Sequence, residues 1–187
     1  MLQHLSLRRS AAILAMMLAL PAAAVMLKTD PAKSNVAAVF KQMNVPVEAK
    51  FKKFTAQIDF DAAKPEASKA SIEIDTTSLD LGDPEYNKEV QKKEWFNTAQ
   101  YPKATFVSST LKPGAAGKFD VAGRLTIKGK TADVSFPLTV KKEGNAQVFE
   151  GSLPIKRLTY NIGEGEWKDT SMVADEVLIK FRVVASQ

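Results

Sequence analysis

Polar and apolar residues alternate along most of the chain. From Lys118 to Ile127 the apolar side chains are Phe119, Val121, Leu125 and Ile127, with Gly123 in phase, and Lys118, Asp120, Arg124 and Thr126 occupy the opposite positions. Asp133–Lys141 repeats the pattern with Val134, Phe136, Leu138 and Val140. Glu176–Val184 does so with Val177, Ile179, Phe181 and Val183, opposed by Lys180 and Arg182. Shorter alternations fall at Thr55–Asp61 (Ile58, Phe60) and Ser71–Asp75 (Ile72, Ile74). A period of two puts successive side chains on opposite faces of a strand, and strands with one dry and one wet face belong to antiparallel sheets. Further strands are predicted near Asn35–Gln42, Val45–Phe54, Lys103–Leu111 and Gln147–Leu153. The total of roughly eight or nine strands suits a barrel or a sandwich.

Turn signals separate these runs: Lys112-Pro113-Gly114, Lys128-Gly129-Lys130 and Glu143-Gly144-Asn145. One segment departs from the alternation. Asp83-Pro84-Glu85 supplies a capping residue, a proline at the first helical position and an early acid, which predicts a short helix over Asp83–Glu94. Tyr86 and Val90, four apart, fall on one face of that helix and would lay it across one end or side of the sheet.

The N-terminus reads as an address. Arg8 and Arg9 precede ten apolar residues, Ala11 to Leu20, followed by Pro21 and Ala22-Ala23-Ala24. A basic start, a short apolar stretch and a small-residue end predict a secretory signal peptide cleaved after Ala24. The run is too short for a bilayer span, which needs about 20 residues. The expected mature domain, residues 25–187, carries 24 basic and 21 acidic side chains, a formal charge of +3. It is expected in the periplasm or outside the cell, without a stable membrane span. Its lysines mix with acids, as in Lys92-Lys93-Glu94 and Lys141-Lys142-Glu143, so a solvated surface is expected and a nucleic-acid partner is not.

Composition then removes whole chemistries. The chain has no cysteine, which excludes disulfides, thiol catalysis, Cys-ligated zinc and iron–sulfur clusters. Its one histidine, His4, lies in the address segment, so the mature domain lacks Ser-His and His-metal chemistry as well. Gly129-Lys130-Thr131 lacks the upstream glycine spacing of a phosphate-binding loop and is expected to be a hairpin turn. Gly163-Glu164-Gly165 lacks the third glycine and the strand–turn–helix setting of a dinucleotide site. Glu164, Glu166 and Asp169 do not match a calcium loop and read as acidic surface. Asp59 and Asp61 share one strand face around Phe60, where they form the wet side most simply; a carboxylate-dependent hydrolase is the catalytic alternative. All 15 aromatic residues lie after residue 24, most of the phenylalanines in predicted strands. Small barrels either fill with such side chains or hold one small ligand, and periodicity leaves both open.

An ordered series of segments resembles the YceI-like family of secreted, lipocalin-like barrels. The series begins with Phe51-Lys52-Lys53-Phe54 and the strand ending Ile58-Asp59-Phe60-Asp61, then Ile72-Glu73-Ile74-Asp75-Thr76-Thr77-Ser78-Leu79. It continues through Trp95-Phe96-Asn97, Tyr101-Pro102-Lys103-Ala104-Thr105-Phe106 and Gly123-Arg124-Leu125-Thr126-Ile127-Lys128-Gly129. It ends with Tyr160-Asn161-Ile162-Gly163-Glu164-Gly165-Glu166-Trp167. Ala49 stands where the family often has glycine, and a histidine common nearer the start of some members is absent. The resemblance implies an all-β fold, an antiparallel eight-stranded lipocalin-like barrel with one short helix beside it. It also implies a hollow interior that takes a long isoprenoid or similar long-chain lipid, such as a quinone or a polyprenyl carrier, with no cofactor, metal or catalytic residue. The expected wall consists of Phe40, Phe51, Trp95, Phe96, Phe106, Phe119 and Phe136. Arg157 is expected at the mouth, meeting a phosphate or carbonyl head or else forming a surface ion pair, and Trp167 is a candidate plug. The alternative to cargo binding is a packed barrel serving as an envelope-stress or protein-interaction module. A homodimer through barrel edges or apolar loops stays open.

Overall fold

The computed structural model describes residues 25–187; the expected signal peptide, residues 1–24, lies outside the described residues. Three long strands of the barrel are bent and therefore appear as pairs of shorter ones. β1 (Val25–Thr29) and β2 (Asn35–Gln42) run along the same last strand, β11 (Val173–Ser186), with Thr29 opposite Ala185 and Asn35 opposite Arg182. β3 (Val45–Phe51) turns back on β2, and β4 (Phe54–Phe60) continues it to pair with β1. β5 (Lys69–Asp75) pairs with β4, and the two-residue β6 (Leu79–Asp80) with β3. The remaining ring is a plain meander of β7 (Lys103–Pro113), β8 (Lys118–Ile127), β9 (Lys130–Glu143) and β10 (Ala146–Lys156). The order β1-β4-β5-β7-β8-β9-β10-β11 closes back on β1, giving an eight-stranded antiparallel barrel. Closure removes the exposed edges that an open sheet of this width would present.

The turns obey their local chemistry. Ile127 pairs with Lys130 around Lys128 and Gly129, both at positive φ (47° and 71°), the backbone of a tight two-residue hairpin. Gly144 takes the same conformation between β9 and β10. The alternating residues face inward as predicted: Ile58, Phe60, Val121, Leu125, Phe136, Leu138 and Val183 all belong to one buried cluster.

Three expectations need correction. β1 was not predicted, because five residues carry too little alternation to be seen alone. The single strand expected over Val45–Phe54 is broken at Lys52 and Lys53, where Lys52 N–H donates to Ser78 O and the sheet bends. The helix α1 spans only Pro84–Glu89, capped by the Asp83 carboxylate on the Glu85 and Tyr86 N–H groups. Beyond it Phe96 N–H donates to Val90 O and Asn97 N–H to Lys92 O, folding the chain into tight turns that carry Trp95 inward. Burying that indole outweighs the helix propensity of residues 90–94, four of which (Gln91, Lys92, Lys93 and Glu94) are good helix formers. Tyr86 and Val90 do not act as one face: Tyr86 is exposed and Val90 buried.

Candidate functional site

The barrel encloses an apolar cavity of about 210 Å³. Every strand of the ring except β1 contributes to its wall. Its middle is organised by Phe136, which lies 5.5 Å from both Phe106 and Phe181, centroid to centroid. Both outer rings rest on glycines. A Cβ on Gly123 would run into the Phe106 ring and the Val107 carbonyl, and one on Gly151 would meet the Phe181 ring. Gly123 therefore keeps the alternation without filling the interior, leaving the space its side chain would have taken to an aromatic ring. A void lined this way stays dry, because water there would find almost no polar partner.

Aromatic side chains cross the barrel at both ends. Toward the chain termini, Phe60 meets Phe119 and Phe149 edge-on at 5.7 and 5.5 Å. At the other end Trp95 packs against Trp167 at 5.3 Å with the ring planes inclined at 51°, and the Arg157 guanidinium lies 5.9 Å from the Trp95 ring. Arg157 is only 2% exposed and spends every donor on backbone carbonyls. Nε donates to Ala174 O, Nη1 to Ile162 O and Gly163 O, and Nη2 to Trp167 O and Val173 O, at 2.7–3.2 Å. Burial pushes its pKa down, and the nearby Asp175 carboxylate pushes it back. Gly163, at φ 80°, passes so close that any Cβ would strike Nη1.

A lysine completes this end of the barrel. Lys128 turns its Nζ inward, donating to Lys93 O and Asn161 O at 2.7 Å and to Glu164 Oε2 at 2.9 Å. The Lys128 hydrogen bond holds the Glu164 carboxyl below the ordinary glutamate range, with burial opposing it. A carboxyl depressed in the folded state contributes stability above its unfolded pKa and loses it as pH falls. Acidification from about pH 4.3 downward is therefore expected to loosen the 161–168 segment. The change should register in the fluorescence of Trp95 and Trp167, and Glu164→Gln should abolish that step. Persistence of the step in the variant would assign it to other carboxylates.

Of the expected wall residues, Phe51, Phe96, Phe106 and Phe136 line the cavity, and Phe40, Trp95 and Phe119 do not. Phe40 packs against the core from one side, Trp95 belongs to the end plug, and Phe119 to the opposite aromatic cluster. Arg157 reaches the cavity wall but is neither a surface ion pair nor a free mouth donor, since no N–H remains for a ligand head. Trp167 packs against Trp95 at this end of the barrel. The wall also includes Phe60, Phe149 and Phe181. The same alternation that places Phe136 inward already marked Phe60 and Phe181.

The two aspartates do not form a catalytic pair. Asp59 alternates with the inward-facing Ile58 and Phe60 and sits opposite Met26 and Lys69, yet it is half-buried and contributes to the cavity lining. The Asp61 carboxylate accepts from the Ala63 and Lys64 N–H groups, closing the turn after β4. Asp59 Oδ1 and Trp95 Nε1 are buried without a hydrogen-bond partner. Among the described residues no cluster of His, Cys, Asp or Glu is arranged to hold a metal, and no helix is long and apolar enough to cross a membrane.

A closed meander barrel with an apolar interior defines a lipocalin-like fold. Within that class the chain belongs to the YceI-like family, whose domain matches residues 27–185. It is 38% identical over 98 residues to a UPF0312 protein of Pseudomonas savastanoi pv. phaseolicola, covering 52% of this chain and 51% of that protein. The chain thus spans about half the length of this relative. A UPF0312 protein of Azotobacter vinelandii is 32% identical over 133 residues, covering 68% of this chain and 67% of the relative. Among solved structures, Burkholderia cenocepacia BcnA shares 55% identity with a TM-score of 0.83, over 85% of this chain and all of that one. A polyisoprenoid binding domain from Saccharophagus degradans, implicated in plant cell wall breakdown, shares the fold at 19% identity and a TM-score of 0.67, over 88% of this chain and 98% of that one.

Proposed function

We propose that the protein binds a long-chain isoprenoid or a similar amphiphile in its barrel, without catalysing a reaction on it, and that it works in the periplasm after removal of residues 1–24. The observation that carries this reading is the apolar, aromatic-walled cavity of about 210 Å³. Ordinary ligand sites run to roughly 300–1,000 Å³. This one is narrower, so it suits a thin chain better than a ring system. Each CH₂ transferred from water gains about 0.8 kcal/mol, less the entropy lost in ordering the tail. Recognition by such walls selects length and girth and is tolerant of chemistry, because no hydrogen bond has to be matched. The polyisoprenoid-binding description of the Saccharophagus neighbour supports the same cargo class. The Asp61 carboxylate is committed to closing the turn after β4, which leaves Asp59 without the second carboxylate a two-acid hydrolase needs.

Protein purified without detergent is expected to carry an extractable long-chain lipid at near-stoichiometric amount, identifiable by mass spectrometry. A barrel that is empty on purification and also ignores added quinones, polyprenols and fatty acids would end the cargo reading.

A further inference from the structure

The barrel wall has a window. On one side, β1 pairs with β4 as far as Leu27 opposite Ile58; on the other, β2 pairs with β3 as far as Val36 opposite Phe51. Between these limits the backbone ladder is missing along Lys52 to Gln57, and the Thr29 hydroxyl donating to Ala56 O bridges the gap. Six residues of strand span roughly 20 Å. Over the window lies a cleft of about 480 Å³, within the usual range for a ligand site. Val36 and Phe51 line both this outer cleft and the inner cavity, so one layer of side chains separates the two. The barrel ends are crossed by the Trp95–Trp167–Arg157 plug and the Phe60–Phe119–Phe149 cluster.

The charges on the cleft are unevenly committed. Lys50, Lys52 and Lys53 line it together with Glu73 and Asp75. Both acids are already engaged: Glu73 with Lys103 at 2.8 Å, and Asp75 with the Thr77 N–H and hydroxyl at 2.9 and 2.6 Å. Lys52 is held by Asp80 at 2.6 Å. Among the described residues, Lys50 and Lys53 have no ion-pair partner. Lys50 and Lys53 thus carry ammonium groups without an ion-pair contact, Lys53 within electrostatic reach of Asp75, and beneath the cleft lie the apolar Val36 and Phe51.

We propose that this lateral cleft holds the anionic head of the amphiphile whose tail fills the cavity, with Phe51 as the movable wall between the two compartments. The inference rests on the lipid-binding reading above. An ammonium at a wet rim binds an anion without the desolvation cost of a buried charge, and the tail needs only a rotation of one ring to pass inward. The end plugs can then stay closed while cargo exchanges through the side.

Matched probes test it: palmitate against hexadecanol, and geranylgeranyl diphosphate against geranylgeraniol, with inorganic diphosphate as a tail-free control. The native protein is expected to bind each anionic probe more tightly than its alcohol. The double variant Lys50→Gln/Lys53→Gln should lose about tenfold for the anionic probes and keep its affinity for the alcohols. Phe51→Leu should speed both uptake and release of palmitate. Equal affinities of variant and native protein for the anions, or an equal loss for the alcohols, would place the head elsewhere. Inorganic diphosphate binding as tightly as the prenylated form would make the cleft a free-anion site and overturn the head-group role. If the native protein binds no tailed probe, this inference and the lipid reading fall together.

Discussion

Replacing Arg157 by alanine is expected to destabilise the barrel by about 3–5 kcal/mol, the range for breaking a fully buried charged network. The reason lies in the acceptors left behind. Five carbonyls, from Ile162, Gly163, Trp167, Val173 and Ala174, converge on one guanidinium. Without it they are buried and unpaired, each at a cost of about 1–3 kcal/mol unless water refills the hole. The cation also sits against Trp95, so the Trp95–Trp167 pair loses its cationic neighbour. For a domain of this size, a thermal midpoint lower by on the order of 10 °C is expected. Arg157→Lys should recover little, because three donors on a flexible stem cannot reproduce a planar fork of five. Urea and thermal unfolding of both variants measure this. A variant as stable as the parent would mean that the tryptophan pair alone holds the loops.

Phe136→Ala should have a comparable effect, about 3–5 kcal/mol, through a different mechanism. Phe136 touches the Phe106 and Phe181 rings, which are themselves seated on Gly123 and Gly151. Their glycine seats prevent these rings from collapsing inward independently, so the variant should retain most of the new void. The cargo reading adds a second expectation. An enlarged cavity should accept a bulkier tail, and a ligand that binds only the folded state raises stability with its concentration. Denaturation with and without a branched isoprenoid should therefore show the variant regaining more stability than the parent. If added lipid stabilises neither protein, the cavity is a packing defect and not a binding site.

Most of the barrel was legible because its information is local. Along β11 the four residues assigned inward by alternation, Val177, Ile179, Phe181 and Val183, all line the cavity. Ile58 and Phe60 on β4, and Ile72 and Ile74 on β5, do the same. Failures came where a residue's fate depends on distant chain. Phe119 alternates as perfectly as Val121 but sits at the end of its strand, where Phe60 and Phe149 take up its ring. Trp95 lies in a segment with helical signals that tertiary burial overrides. Arg157 showed only a charge beside an apolar strand; that five carbonyls surround it follows from how residues 161–174 fold back on it.

Alternation, turn glycines, the proline-led helix start and the absence of cysteine were enough to specify an all-β, antiparallel domain free of thiol chemistry. Each of those signals depends on neighbours a few positions away. Three-dimensional packing alone decided that the interior keeps a void, that aromatic clusters gather toward both ends, that Arg157 is a bolt instead of a mouth, and that the wall opens between Phe51 and Ile58. Those outcomes depend on which rings meet across the barrel and where strand ladders part, and such contacts join residues far apart in the chain.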